Sequence, residues 1–493
     1  MLLRSLIIVF SSFISVSRAQ EKVFSAYGGR QSYDESLFSP LERLSVLSES
    51  EFTTLGHPAF PKYNVRVKKS HFCDGTVNSY TGYIDVEARH LFFYFFESRN
   101  DPDKDDVIFW TNGGPGGSSS CGLFMELGPC RVLDSTGPKY HPESWNSNAN
   151  IFFIDQPIGV GFSYADYGEY VSTTEESAKD ISAFVAIFFQ HFTNFKGRGF
   201  HMAGESYGGR YVPVYAAEIY DQNKKLVEAG MTPINLTSVM IGNGIFDFYT
   251  QITSLYDMAC TRSSVDPVLD IGTCVRMKQA LPRCSKWLKA SCIDPFDAIS
   301  CNAANMFCEE ALAAPFTAAG KNPYDLTRDC ETNDTLCYPA IKYIEDYLSL
   351  PSTRSILGIP ADRNYSFYSP EVGSAFGSSL DEFHPTYPHI GALLDRGVRA
   401  LIYVGKYDWI CNYIGNEMWL LGDNFAASWR GGEAWRSEQA KVGEWKVDGR
   451  KAGDKRSFGG LTYATVEAAG HMVPYDKPKE ALELINNWLK NDL

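Results

Sequence analysis

The chain has 493 residues, of which 44% are hydrophobic and 14% aromatic, enough to form one large catalytic domain with an insertion or two to three small domains. Its 59 acidic residues outnumber its 45 basic ones, and the net charge of −14 argues against nucleic acid as a partner.

The first 19 residues have the features of a signal peptide. Arg4 supplies a positive charge, an apolar run extends from Leu6 to Val16, and Ser17-Arg18-Ala19 is a small-x-small cleavage site. The run is too short to cross a bilayer, and no later stretch approaches the roughly 20 apolar residues that a crossing requires. We therefore expect entry into the secretory pathway, no membrane span, and a location in a vacuole- or lysosome-like compartment or outside the cell.

Residues 20–60 are polar with little periodicity, which is typical of a propeptide or an N-terminal arm. After them, TGYIDV and HLFFYFFES are separated by a turn-sized gap and predict an antiparallel hairpin. Short strands are predicted at 106–110 and 150–155. Ser172 and Glu175 form a predicted capping box for a helix that runs to about Phe192.

A second series of elements begins with a short buried strand at 199–203, followed by a helix over 211–220 with Pro213 in its first turn. Strands are predicted at 238–242, 399–405 and 461–466, and an amphipathic helix at 478–489 closes the chain. Strands that alternate with helices predict an α/β fold with a mostly parallel central sheet and helices on both faces.

The cysteines mark an interruption of this alternation. Seven of the twelve lie between Cys260 and Cys330, with Cys337 just beyond, and in a secreted chain this density predicts disulfides. We interpret the segment as a disulfide-rich cap inserted into the core. The predicted organisation is therefore signal peptide 1–19, propeptide or N-terminal arm 20–60, core 61–250, cap 251–350 and core 351–493.

The stretch GESYG around Ser206 matches G-x-S-x-G between a predicted strand and a predicted helix. This pattern resembles the nucleophile elbow of the α/β-hydrolase fold, which presents its catalytic triad in the order Ser, Asp, His. Asp408 follows the strand RALIYVG and His471 follows the strand LTYATV, so both stand where the active face of the sheet is expected. We predict that His471 takes the proton of Ser206 and that Asp408 orients the imidazole.

A glycine-rich loop, NGGPGG, follows the strand VIFWT. We expect it to supply one backbone N–H to the oxyanion, with the N–H of Tyr207 as the second donor. A phosphate-binding loop is the alternative, but the stretch lacks the lysine of G-x-x-x-x-G-K-[ST].

Together, the motifs WTNGGPGGSSSCGLFMELGP, GESYGGRYVP, GKYDWICN and GHMVPYD resemble the serine carboxypeptidase family from about Tyr80 to the C-terminus. The resemblance implies a serine carboxypeptidase that releases single, preferentially hydrophobic, C-terminal amino acids from peptides and proteins at acidic pH through an acyl-enzyme. It places the triad at Ser206, Asp408 and His471 and the oxyanion donors at Gly114 and Tyr207. It assigns binding of the substrate carboxylate to Asn112, Glu126 and Glu205, and the leaving-residue pocket to Met125, Tyr324, Tyr338, Cys411 and Met472.

The resemblance also implies the disulfides Cys260–Cys274, Cys284–Cys308, Cys292–Cys301 and Cys330–Cys337. It makes Cys411 a free thiol near the site, so that mercurial reagents should inhibit. The family usually has a cysteine at the position of Gly117 and a partner near 366–368, and this chain has neither. That loss puts the rigidity of the oxyanion loop in doubt, while Cys73, Cys121 and Cys130 stay unassigned, with one of the last two a possible partner of Cys73.

Three other functions compete with this interpretation: an acyltransferase on the same fold, an ordinary esterase or lipase, and a non-catalytic binding protein. Plant acyltransferases that resemble this family commonly replace the glutamate before the serine, whereas Glu205 is present. We expect no cofactor and no metal, since neither H-E-x-x-H nor a paired-cysteine zinc spacing outside the predicted disulfides is found. Sequons at Asn235, Asn333 and Asn364 are candidate glycosylation sites, and the oligomeric state is left open.

Overall fold

The computed structural model describes residues 39–493 except 59, 74, 167–168 and 333–335. The predicted signal peptide, most of the predicted propeptide or arm, and the sequon at Asn333 lie outside the described residues.

One large sheet of thirteen strands and one small sheet of two strands are present among the described residues. The strands are, in chain order, β1 Thr53–Gly56, β2 Tyr63–Ser70, β3 Ser79–Val86, β4 Arg89–Phe96, β5 Val107–Thr111, β6 Cys130–Arg131, β7 Lys139–Tyr140, β8 Asn150–Ile154, β9 Tyr164–Ala165, β10 Phe200–Glu205, β11 Leu236–Gly242, β12 Arg399–Gly405, β13 Lys441–Val447, β14 Arg450–Phe458 and β15 Leu461–Val466.

The order across the large sheet is β1-β2-β3-β4-β8-β5-β10-β11-β12-β15-β14-β13, with β9 beside β4. The six strands from β8 to β15 run parallel, and antiparallel strands flank them on both sides. The α/β-hydrolase prediction, a mostly parallel central sheet, is confirmed. The predicted hairpin is β3–β4, in which Ser79 pairs with Phe96. Strands β1 and β2 at one side of the sheet and β14 and β13 at the other were not predicted, because polar residues obscure their periodicity.

The described α-helices are α1 Thr174–His191, α2 Gly208–Glu228, α3 Phe248–Cys260, α4 Ile271–Leu288, α5 Ala298–Cys308, α6 Ala314–Ala318, α7 Ala340–Ser349, α8 Pro351–Leu357, α9 Pro370–Ser379, α10 Tyr387–Asp395, α11 Tyr413–Leu420, α12 Asp423–Ala426, α13 Gly432–Arg436, α14 Val473–Asp476 and α15 Pro478–Leu489. No described helix combines the length and the apolar character that a membrane crossing needs.

Two details of the helix predictions were wrong. The cap of α1 is Thr173, whose hydroxyl accepts from the backbone N–H of Glu176, while the Ser172 N–H donates to the Glu176 carboxylate. The cap is therefore shifted by one residue, and the Glu176 carboxylate bonds the N–H of the residue before the cap instead of that of the cap itself. Helix α2 begins three residues earlier than predicted, so Pro213 is its sixth residue and lies beyond the first turn.

Helices cover both faces of the sheet. Side chains of successive residues in a strand point to opposite faces, so Val107 and Phe109 pack in one apolar cluster with α1 and α2. Ile108 and Trp110 pack in the other cluster, with α7 and α15. Between β11 and β12 the chain inserts α3 to α10, and the cysteine-rich helices of this insertion have an apolar cluster of their own.

The four disulfides that the resemblance implies are present in the insertion, linking Cys260–Cys274, Cys284–Cys308, Cys292–Cys301 and Cys330–Cys337. A fifth joins Cys73 to Cys130, and Cys121 and Cys411 are free and buried. Asn235 and Asn364 are exposed.

Candidate active site

The candidate nucleophile lies in the tight turn between β10 and α2. Ser206 has φ +63°, a left-handed conformation that costs energy for a residue with a Cβ and recurs at functional sites. Its backbone N–H donates to the Gly242 carbonyl (3.2 Å), and its carbonyl accepts from the Ile245 N–H (3.0 Å). A Cβ at Gly204 would lie 2.8 Å from Val212 Cγ2 in α2 and 2.9 Å from the Thr111 carbonyl oxygen in β5, so glycine permits this close packing of strand and helix.

His471 and Asp408 meet at the ends of neighbouring parallel strands. The Nδ1 atom of His471 lies 2.8 Å from Asp408 Oδ2. The Asp408 carboxylate is fully buried and also accepts hydrogen bonds from the Asn243 side chain (2.7 Å) and the Ile410 N–H (3.1 Å). These donors hold the carboxylate in place against the imidazole. Asn243 was missed from the sequence, although its position directly after β11 brings it to the same edge of the sheet.

The glycine-rich loop packs directly against the nucleophile turn. A Cβ at Gly113 would lie 2.3 Å from the backbone nitrogen of Tyr207 and 2.8 Å from Ser206 Cβ. Gly114 has φ +119°, which favours glycine. The absence of a side chain at Gly113 lets the loop lie directly against the turn that carries Ser206 and Tyr207.

Backbone hydrogen bonds hold the glycine-rich loop at the place where members of the family usually have a disulfide that this chain lacks. Gly117 forms a β-bridge with Tyr368. The Ser369 N–H donates to the Gly116 carbonyl and the Ser118 N–H donates to the Phe367 carbonyl, both at 2.9 Å. The loop is therefore tied to 367–369, the same region that the cross-link would have reached.

The amide of Asn112 has a defined orientation. Its Oδ1 accepts from the indole N–H of Trp110 (2.8 Å) and from the backbone N–H of Gly122 (2.9 Å). The Nδ2 group is thereby directed at the carboxyls of Glu126 (3.2 Å) and Glu205 (3.5 Å). Since two donors already contact the oxygen, the amide is not free to flip.

Glu126 and Glu205 form a buried pair of carboxyl groups. Glu126 belongs to a single π-helical turn, Gly122–Glu126, and Glu205 is the last residue of β10. Burial and the neighbouring Glu126 carboxyl raise the pKa of Glu205 well above its usual range, and burial also raises the pKa of Glu126. Two carboxyl groups this close cannot both ionise easily, so the pair retains a proton into a higher pH range than a free glutamate would.

A cavity of about 250 Å³ opens over Ser206 and His471. Of the other predicted residues it is lined by Asn112, Gly114, Glu205, Tyr324, Tyr338 and Met472. Asp408, Glu126, Met125 and Cys411 are completely buried and do not line it. The wall also includes residues that were not predicted, among them Cys121, Ile245, Leu336, Ile341, Phe367 and Ile410. No described lysine or arginine lines this cavity.

Asp408, Cys411 and His471 are the one described group of three potential metal ligands, with ligand atoms within 4.8 Å of one another. The Asp408 oxygens already accept from His471, Asn243 and Ile410. Their contacts fit a hydrogen-bonded acid and base.

Comparison with known proteins identifies the family. Residues 72–491 match the family model described as serine carboxypeptidase. The chain belongs to the serine carboxypeptidase family. It therefore has the activity of a serine carboxypeptidase, a hydrolase that acts on peptides.

Similar proteins cover most of this serine carboxypeptidase. Carboxypeptidase Y of Komagataella phaffii is 40% identical over 438 residues, which are 88% of this chain and 80% of that protein. Carboxypeptidase Y homolog A of Aspergillus niger is 40% identical over 436 residues, covering 87% and 75% of the two chains. The crystal structure of Kex1(Δ)p, a prohormone-processing carboxypeptidase from Saccharomyces cerevisiae, matches with a TM-score of 0.73 over 92% of this chain and 97% of that one. At 24% identity it supports the fold alone.

Proposed function

We propose that this carboxypeptidase releases single, preferentially hydrophobic, C-terminal amino acids, acts best at acidic pH, and works through an acyl-enzyme on Ser206. The observation that carries the proposal is the buried cluster of Asn112, Glu126 and Glu205, with Glu205 immediately before Ser206 and on the same cavity wall. A protonated carboxyl pair with an amide N–H beside it can bind a substrate carboxylate, and an internal peptide bond has no such group.

The chemistry follows from the positions of the side chains. Ser206 Oγ attacks the carbonyl carbon of the last peptide bond while His471 takes the hydroxyl proton. The developing oxyanion accepts from the backbone N–H groups of Gly114 and Tyr207. The C–N bond then breaks, and His471 gives its proton to the departing amine. Water attacks the acyl-enzyme by the same route and releases the shortened peptide.

The preference for a hydrophobic leaving residue rests on the cavity wall. Tyr324, Tyr338 and Met472 line it, and no described lysine or arginine is present to pair with an acidic residue. Glu205 is the one carboxyl in the described wall, and its raised pKa keeps it from attracting a basic residue at acidic pH. Burial of apolar surface therefore supplies most of the binding energy for the side chain.

We also propose that the protein matures in the secretory pathway, where its five disulfides form. A signal peptide over 1–19 is removed, and any further cut within 20–60 falls before Leu44. Leu44 and Leu47 are buried in the core, and β1 pairs with β2, so a later cut would separate part of the fold from the rest. N-terminal sequencing of the mature protein tests this.

The deciding experiment measures release of free amino acid from an N-blocked dipeptide between pH 4 and 8, by the wild type and by Ser206→Ala. The same peptide with an amidated C-terminus is the matched substrate. We expect release that requires Ser206, is strongest at acidic pH, and is at least tenfold weaker for the amide. Equal cleavage of acid and amide would show that Asn112, Glu126 and Glu205 do not bind the substrate carboxylate. Failure to cleave either peptide, with turnover of ester donors, would favour the acyltransferase or esterase alternative.

A further inference from the structure

The backbone N–H and the side-chain hydroxyl of Tyr207 have different surroundings. Its backbone N–H is the proposed oxyanion donor, and its side chain is 1% exposed and packs away from the cavity. The phenolic hydroxyl donates a 2.7 Å hydrogen bond to Asp381 Oδ2. Burial and the Asp381 charge raise the pKa of this phenol well above its usual range, so the hydroxyl remains a donor.

Asp381 is a buried carboxylate with a complete set of donors. It is 1% exposed and accepts from the backbone N–H (2.9 Å) and the hydroxyl (2.7 Å) of Thr174, the first residue of α1. Arg210 of α2 donates through Nε at 3.3 Å and forms an ion pair with it. An anion at a helix N-terminus with an arginine partner is well compensated, so Asp381 remains charged and fixed.

Asp381 belongs to a segment that also touches the other half of the oxyanion hole. This 367–383 segment begins with Phe367 and Ser369, which bond the backbone of the glycine-rich loop. In its middle, the ring of Phe376 in α9 packs edge-on against the Tyr207 ring, with centroids 6.2 Å apart. Its end supplies Asp381. One continuous stretch of the insertion therefore contacts the loop that carries Gly114 and the residue that carries the second donor.

We propose that Asp381 is a positioning residue of the oxyanion hole, which sets the Tyr207 backbone N–H by holding the Tyr207 hydroxyl. This rests on the proposed role of the Tyr207 N–H. Asp381 touches no substrate atom. Its bond to the Tyr207 hydroxyl fixes the far end of that side chain and so restricts the Tyr207 backbone. A backbone N–H displaced by a fraction of an ångström loses much of its stabilisation of the transition state.

The test is a double-mutant cycle with Asp381→Asn and Tyr207→Phe. Each variant and the double variant are assayed for kcat and KM on the N-blocked dipeptide and on an activated ester, and for affinity for a peptide boronic acid that mimics the tetrahedral intermediate. Tyr207→Phe removes only the hydroxyl and leaves the backbone donor in place. We expect each single variant to lower kcat and boronate affinity about tenfold, with KM nearly unchanged. The double variant should lose little more than Tyr207→Phe alone, because both changes break the same bond.

A control separates positioning from general stability. Ser379→Ala removes the bond from α9 to the Ser172 carbonyl and removes no bond to Asp381 or Tyr207. It should keep kcat within about twofold. Additive losses in the cycle, or a lower melting temperature of Asp381→Asn with normal kcat and boronate affinity, would overturn the proposal. The ester keeps this test separate from the proposed function, since ester hydrolysis reports on the oxyanion hole whether or not a free C-terminus is preferred.

Discussion

Glu126 and Glu205 are buried and close together, so the charge of the pair depends on pH. Both carboxyl groups are next to Asn112 Nδ2, and the Oε2 atom of each has no neutral or cationic donor among the described residues. A proton held between them removes part of the repulsion and leaves a donor for an incoming carboxylate. Above the raised pKa of Glu205 the pair becomes doubly negative and repels that carboxylate.

We predict that KM for the N-blocked dipeptide rises with pH for the wild type and stays nearly flat for Glu205→Gln. Glutamine resembles the protonated acid and cannot ionise. The melting temperature of the wild type should fall over the pH range in which KM rises. A carboxyl whose pKa is higher in the folded than in the unfolded state contributes fully to stability below its unfolded-state pKa. This contribution is lost as pH rises through the folded-state pKa. The pH dependence of the melting temperature should therefore be weaker in Glu205→Gln.

Glu417→Gln is the matched control for that prediction. Burial raises the pKa of Glu417, but this residue bonds Tyr463 and does not line the catalytic cavity. Its KM profile should follow the wild type. A Glu205→Gln enzyme whose KM still rises with pH would show that the pair does not govern carboxylate binding.

The two free thiols differ in access to the cavity. Cys411 is completely buried and does not line it, whereas Cys121 lines it, 3.9 Å from the Met472 sulfur. Burial raises the pKa of both thiols well above its usual range, so neither is an ionised nucleophile at neutral pH.

We predict that a small neutral organomercurial inhibits by reaching Cys121 first. Cys121→Ser should slow inhibition at least tenfold, and Cys411→Ser should not. Slower inhibition of Cys411→Ser and unchanged inhibition of Cys121→Ser would instead show that Cys411 is the thiol that mercurials reach, as the sequence predicts.

At the scale of elements, the glycine-rich loop and the nucleophile turn pack too closely to admit a side chain at Gly113. A Cβ at Gly113 would overlap the Tyr207 nitrogen, the Glu205 carbonyl and Ser206 Cβ, all within 2.8 Å. We predict that Gly113→Ala lowers kcat at least a hundredfold, because the loop must move away from the turn and the oxyanion donors separate.

Gly377→Ala is the corresponding control within α9. A Cβ there meets nothing within 4 Å, and alanine favours a helix over glycine by up to about 1 kcal/mol. This variant should be fully active with an unchanged or slightly raised melting temperature. Normal kcat in Gly113→Ala would show that the loop does not need this close approach.

At the scale of the whole molecule, the insertion supplies part of the cavity wall. Tyr324 and Tyr338 line the cavity, and the Tyr324 carbonyl accepts the His471 backbone N–H at 2.7 Å. The Cys330–Cys337 bond closes a loop between these two tyrosines. The insertion therefore forms part of the cavity wall and also holds the backbone of the candidate base.

We predict that Cys330→Ser with Cys337→Ser raises KM severalfold while the core keeps its melting temperature to within a few degrees. A disulfide with a sequence separation of 7 stabilises by about 2 kcal/mol, and the effect should fall on the local loop. The pair Cys292→Ser with Cys301→Ser is the control, since no chain neighbour of these cysteines lines the cavity, whereas Leu336 and Tyr338 on either side of Cys337 do. A similar rise in KM in both double variants would mean that the insertion responds as one unit.

The amino-acid sequence by itself determined the central strands, the order Ser206, Asp408, His471 and the family. These depend on local signals, namely apolar runs of strand length, a serine between glycines, and residues directly after strands. The edge strands β1 and β13 gave no such signal, because β1 buries one of its four residues and β13 two of its seven, too few to produce an alternating pattern.

Only the tertiary structure decided which side chains meet across the sheet and the insertion. The contact of Asn243 with Asp408, the bridge of Gly117 with Tyr368 and the bond of Tyr207 with Asp381 join residues separated by 165, 251 and 174 positions. The first contact depends on β11 and β12 being neighbours in the sheet, and the other two depend on how 367–383 packs against the core. No local periodicity encodes either arrangement. For the same reason the sequence placed Cys411 and Met125 in the cavity wall, where the structure has Cys121, Leu336 and Phe367 instead.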